Sequence, residues 1–100
     1  MDEKWLPCVG IPTYEISNKG RLRRAAPGPH TRVGLIRKLK PNRFGYHRPT
    51  LWVNGEPYNR SVHALVLEAF VGPRPEGYQI NHKNGVKTDN RVTNLEYMTL

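Results

Sequence analysis

The sequence predicts a small α+β fold: antiparallel hairpins around one helix. Three observations support this. Short extended segments are divided by turn signals such as Asn54-Gly55 and Gly72-Pro73. A single segment, from Val62 to Phe70, has apolar residues at helical spacing. The chain of 100 residues is long enough for one modest core, or for two thin modules sharing one.

Residues 5 to 24 read as a strand pair. Ile11-Pro12 leads into the alternating Tyr14-Glu15-Ile16, Asn18-Lys19-Gly20 supplies a turn, and Arg21-Leu22-Arg23 returns with Leu22 facing inward. Residues 25 to 34, rich in Pro and Gly, form a loop that contains His30. Arg37-Lys38-Leu39-Lys40 begins another extended stretch. The clearest hairpin runs from Arg48 to Val53, turns at Asn54-Gly55, and returns through Glu56-Pro57-Tyr58. Pro49 and Pro57 lack an N–H and so belong at sheet edges. Ser61 is placed as an N-cap, with Val62, Leu65, Val66, Ala69 and Phe70 on one helix face until Gly72-Pro73 ends it. Tyr78 to His82 is extended, Asn90 to Asn94 a short bend, and Leu95 to Thr99 the returning strand. Trp5 and Trp52 are assigned to the core or a sheet face, with base stacking the alternative for Trp52.

Charge narrows the function. The net charge is +8, and the segment Lys19 to Arg48 holds ten basic residues and no Asp or Glu. Such a segment suits a phosphate-tracking surface, since each neutralised phosphate releases condensed counterions. Arg21, Arg23, Arg24, Arg37, Lys38, Lys40 and Arg43 are the DNA-binding candidates within it. A solubilising surface or an anionic-membrane contact is the plainer alternative, but prolines and glycines break any basic amphipathic helix. Cys8 is alone, which excludes an internal disulfide and a cysteine zinc finger and points to a reducing compartment. The charged start, Met1-Asp2-Glu3-Lys4-Trp5, predicts no signal peptide, and no apolar stretch of the sequence approaches membrane-spanning length.

The most informative run is Asn81-His82-Lys83-Asn84-Gly85-Val86-Lys87-Thr88-Asp89-Asn90-Arg91-Val92-Thr93-Asn94-Leu95. His82 ends an apolar stretch, and a histidine titrates near neutrality, where it serves as a general base. Asparagine oxygens ligate hard cations, or their amides pin a loop. Asn84-Gly85 makes a turn, with Asn90 capping or bridging it. Asp89 lacks the alternating acidic pattern of a calcium loop. Lys83, Lys87 and Arg91 flank the run and are placed on phosphates. His63 sits on the helix, where packing or a phosphate contact is as good a reading as catalysis. His30 and His47 carry no chemical role.

Val62-His63-Ala64-Leu65-Val66, Ala69-Phe70, Ile80-Asn81-His82-Lys83-Asn84-Gly85, Asn90 and Asn94-Leu95-Glu96-Tyr97 together resemble the HNH endonuclease family, in its phage and mobile-intron branch. Trp5, Ile11-Pro12, Tyr14 to Asn18 and Gly20-Arg21-Leu22 are similar to a small DNA-binding module that precedes such nucleases in homing enzymes. The resemblance implies two regions: a basic, strand-rich module over residues 1–58 and an HNH region over 59–100. It implies a ββα-metal unit, metal-dependent phosphodiester hydrolysis on double-stranded DNA, and one divalent ion, Mg2+ or Mn2+. By resemblance His82 would be the general base, Asn81 the adjacent metal ligand, and Asn94 the central asparagine bracing the loop. The family's last metal-binding element lies in a helix after the second strand, which these residues do not reach. The ββα unit is therefore expected to be incomplete, with weak metal binding and little cleavage from residues 1–100 alone. The alternative is a non-catalytic DNA-binding fragment or decayed nuclease. The expected location is the cytoplasm of a bacterial or phage-infected cell, with no membrane partner.

Overall fold

Tyr14 and Ile16 are buried along one strand because their side chains alternate toward a single face, and Ile11, out of phase with them, is buried beyond a register shift, opposite Cys8. In the computed structural model, which describes residues 2–28 and 31–99, that strand is the centre of a three-stranded antiparallel sheet. The sheet comprises β1 (Trp5–Cys8), β2 (Ile11–Ser17) and β3 (Leu22–Arg24), in the order β1-β2-β3. Ile16 lies opposite Leu6 on one side and Leu22 on the other. Leu22 is fully buried, as its alternation with Arg21 and Arg23 requires. The sequence suggested a pair here, and the structure adds β1. Pro7 argues against a central strand, but β1 is an edge and its register shifts between Pro7 and Cys8. An edge with a bulge is where a residue without an N–H is tolerated.

Residues 37–40 form no strand. Ile36 makes an isolated bridge to Arg23, and the Arg37 N–H donates to the Leu22 carbonyl at 2.8 Å. The segment is held residue by residue because it has no run of alternating apolar side chains to pack. A tight turn follows, in which the Asn42 side-chain oxygen accepts from the N–H groups of Phe44 and Tyr46. His30 lies outside the described residues.

Strands β4 (Thr50–Val53) and β5 (Glu56–Asn59) form the expected hairpin. Asn54 and Gly55 have φ of 52° and 78°, the paired positive angles of a type I′ turn. Trp52 is 53% exposed on this hairpin, so it is not a core residue.

Helix α1 (Val62–Phe70) begins at Ser61, whose carbonyl accepts from the Leu65 N–H. The Ser61 hydroxyl does not cap the helix; it accepts a hydrogen bond from Arg48 at 3.0 Å. The buried face holds Val62, Leu65 and Val66 as the spacing predicts, and also Leu67. Leu67 is buried because α1 packs against β1 and β2 as well as against the C-terminal hairpin, so its covered arc is wider than one stripe. That hairpin pairs β6 (Tyr78–His82) with β7 (Leu95–Thr99) across a loop ending in a 3₁₀ turn, Val92–Asn94. Cys8, Ile11, Tyr14, Ile16, Leu22 and Leu51 from the N-terminal half join Val62, Leu65, Val66, Leu67 and Leu95 in one apolar cluster. The helix is thus a shared wall, and the β6–β7 loop is fixed against both halves of the chain.

Candidate active site

Register sets the site. His82 is the last residue of β6 and faces Leu95, the first of β7, so everything from Lys83 to Asn94 is a loop closed at its neck. At that neck the Lys83 N–H donates to the Asn94 carbonyl at 2.8 Å. The first turn is tight: the Gly85 N–H reaches the His82 carbonyl at 2.9 Å, with Gly85 at φ 76°. The Asn84 side-chain oxygen accepts from the Val86 N–H and continues that turn.

Asn94 is 6% exposed and spans the loop from inside. Its amide nitrogen donates to the Asn84 side-chain oxygen and to the Asp89 carbonyl, each at 2.9 Å. Its amide oxygen accepts from the Asn84 N–H at 3.1 Å. One side chain therefore ties the start of the loop to its far end. Asp89 is not oriented as a metal ligand. Arg91 grips it through two hydrogen bonds, and Asn84 donates a third. The Arg91 guanidinium, more than any other contact, holds the Asp89 carboxyl down at about 2.

His82 is half-buried, with its Nε2 2.8 Å from the side-chain oxygen of Asn90. That oxygen can accept a proton held on Nε2, the tautomer that leaves a lone pair on Nδ1. Asn90 is itself 3% exposed, and its amide nitrogen has no partner among the described residues. The sequence suggested Asn90 as a cap or bridge of the loop; its contact with the histidine has no signal in spacing alone.

Two more rings pack beside the imidazole. His63 of α1 stands edge-on to His82, with centroids 5.2 Å apart, and Tyr46 tilts against both at 5.5 and 6.1 Å. Burial, and then the charges of His82, Arg48 and Arg74, push His63 down to about 4, so it is neutral at physiological pH. The sequence left His63 open between packing and chemistry, and it gave no role to Tyr46. Only the docking of α1 on the loop brings these rings together.

The cations divide into two groups. Arg21 is ion-paired with Glu3, whose carboxyl it holds at about 2. Arg23 pairs with Glu15 at 2.8 Å and lies 4.0 Å over the Trp5 ring. Arg24 donates to the carbonyls of Ala26 and Pro27, and Arg37 to that of Thr50. Lys87 donates to the Phe44 carbonyl and sits over Tyr46. Lys38, Lys40, Arg43 and Lys83 are exposed, and none makes an ion pair with the described residues.

Asn81 precedes His82 on β6 and lies opposite Glu96. Among the described residues no three His, Cys, Asp or Glu side chains come together to hold a metal. Asn81, next to His82 on the strand, is a neutral amide, which binds a hard divalent ion weakly without carboxylates. The described residues alone do not furnish a fitting site for such an ion.

A family model described as HNH endonuclease matches residues 60–100, and one described as the NUMOD4 motif matches residues 3–52. The chain combines an HNH endonuclease domain with a NUMOD4 motif. The DNA endonuclease I-HmuI of Bacillus phage SP01 is 33% identical over 86 residues. That alignment covers 86% of this chain and 46% of the relative. An uncharacterized HNH endonuclease of Acanthamoeba polyphaga mimivirus is 31% identical over 97% of this chain and 27% of its own length. In solved form, the structure titled "DNA binding and cleavage by the HNH homing endonuclease I-HmuI" superposes with a TM-score of 0.80 at 30% identity. It covers 96% of this chain and 52% of the other. The chain therefore spans about a quarter to a half of the length of these relatives. It is a homologue of DNA endonucleases with the α+β architecture of that structure. HNH endonucleases generally use a divalent metal. No helix among the described residues is long and apolar enough to cross a membrane.

Proposed function

We propose that this chain supplies the general base and part of the DNA-binding surface of an HNH endonuclease acting on double-stranded DNA. The observation that carries this is the 2.8 Å contact between His82 Nε2 and Asn90. With Nε2 donating to Asn90, Nδ1 is the basic nitrogen of a ring held beside a braced loop. Water attacking phosphorus gives its proton to Nδ1, and the ester oxygen departs and is protonated by solvent. Asn90 holds the ring in the tautomer this needs, and Asn94 keeps the loop that carries Asn90 in place. By the family resemblance Asn81 would be the residue to hold a divalent ion, Mg2+ or Mn2+, which would stabilise charge on the phosphate oxygens.

Among the candidate cations, Lys38, Lys40, Arg43 and Lys83 make no ion pair with the described residues and are available for phosphates. Arg21, Arg23, Arg24, Arg37, Lys87 and Arg91 are already engaged within the protein and reach DNA only by exchanging those partners. The activity belongs in the cytoplasm of a bacterial or phage-infected cell, where the substrate is.

The test is nicking of supercoiled plasmid with Mg2+ or Mn2+, comparing wild type with His82→Ala, alongside duplex binding. Loss of nicking with unchanged DNA affinity supports His82 as the base. Metal-dependent nicking that survives His82→Ala places the active site elsewhere. Tight duplex binding without nicking in the wild type supports the reading as a non-catalytic DNA-binding fragment.

A further inference from the structure

The turn between β2 and β3 reaches across to the active-site loop. Gly20, in that turn, has φ +81°, and a β-carbon built on it would lie 2.7 Å from the Asn90 β-carbon, 2.9 Å from its carbonyl oxygen and 3.0 Å from its carbonyl carbon. Real side chains do not approach so closely, and the atoms in the way are largely backbone, which cannot swing aside. Beside it, the Val92 N–H donates to the Asn18 carbonyl at 2.9 Å. Both sides of this contact are held firmly. Asn18 accepts from the Lys4 N–H and donates to the Asp2 carbonyl. The Ser17 hydroxyl accepts from the N–H groups of Lys19 and Arg21. On the other side, Asn90 is the residue whose oxygen meets His82 Nε2.

We propose that Gly20 is a positioning residue for His82: the N-terminal sheet seats Asn90, and Asn90 seats the imidazole. The N-terminal module then contributes to the chemistry as well as to DNA affinity. This rests on the reading of His82 as the base, but its test does not require cleavage.

Gly10 provides a matched control, since it has φ +79° in a strand-linking turn and its β-carbon would meet nothing within 4 Å. Gly10→Ala and Gly20→Ala carry the same backbone strain, and only Gly20→Ala adds the collision. Gly20→Asn keeps the β-carbon while relieving strain, because Asn tolerates positive φ best among residues with side chains. The readout is the Nε2 proton of His82 in ¹⁵N-edited spectra of the whole chain. Both Gly20 variants should fold and release this proton to solvent roughly three- to tenfold faster than wild type, the loss of about one hydrogen bond. Gly10→Ala should leave it unchanged.

If Gly20→Ala unfolds, Gly20→Asn decides. Unchanged exchange in a folded Gly20 variant, or equal loss in Gly10→Ala, overturns the proposal. So does unfolding of both Gly20 variants while Gly10→Ala folds, since the contact is then structural only. Failure of His82→Ala to stop nicking would instead remove the base assignment and leave the Gly20 result standing as a fact about imidazole position.

Discussion

Replacing Asn94 with Ala tests the brace on which the loop depends. The substitution removes three hydrogen bonds, two donated to Asn84 and Asp89 and one accepted from the Asn84 N–H. Each contributes about 0.5–1.5 kcal/mol net, and a buried partner left unpaired adds a desolvation cost. Asn84 is exposed and recovers water, whereas the Asp89 carbonyl sits on the covered side of a half-buried residue. The expected loss is therefore about 2–4 kcal/mol, a large share of the stability of a small domain. Urea unfolding measures the total, and amide hydrogen exchange locates it. Residues 83–90 should lose protection first, while the helix Val62–Phe70 keeps its own until global unfolding. Asn94→Asp would set a carboxylate oxygen against two acceptor oxygens at a buried position, so it should cost at least as much as Ala. A loss below about 0.5 kcal/mol, the range of ordinary surface substitutions, would refute the brace. So would uniform loss of protection over the helix and loop together.

Three further outcomes follow from the same geometry. His63 is held down to about 4 from 6.5, mainly by burial. Between these values the unfolded chain binds the extra proton, so its contribution is fully present above pH 6.5 and is lost as pH falls toward 4. Its full worth, discounted for partial solvent access, is on the order of 1–2 kcal/mol. His63→Phe should flatten urea stability across that window, and an unchanged pH profile would contradict the assignment. Replacing Lys38, Lys40 and Arg43 together with Ala should reduce the salt dependence of duplex binding by roughly two to three phosphate contacts' worth. Arg23→Ala should chiefly cost stability; a salt slope that responds to Arg23 and not to the triple change would reverse the division of cations. Asn81→Asp should tighten Mn2+ binding in titration calorimetry, because a carboxylate is a stronger ligand than an amide. Equal or weaker binding would remove Asn81 from the ligand position.

Local rules made much of this chain legible. Asn54-Gly55 requires positive φ at both turn residues, and no other local structure uses that pair as well, so the β4–β5 hairpin could be read from the residues. The helix was bounded by Ser61 and Gly72 for similar reasons, although the hydroxyl of Ser61 serves Arg48. What the sequence withheld depends on tertiary docking. Leu67 lies off the helical stripe and is buried only because α1 touches two sheets. Arg21 and Arg23 read as unopposed charge, since the run from Lys19 to Arg48 has no acid, yet Glu3 and Glu15 lie across the sheet from them. A linear charge count cannot see a partner one strand away. The same limit applies at the site. His82 and Asn94 stand out by type and spacing, but the side chain facing the imidazole belongs to Asn90, and what seats Asn90 is a glycine 70 residues earlier. Gly20 looked like punctuation between two strands, and its φ does meet that need. Its missing β-carbon meets a second one, because it lets the N-terminal sheet approach the backbone behind the histidine. A turn residue and an active-site residue are thus coupled by packing alone, which is why neither composition nor periodicity could have linked them.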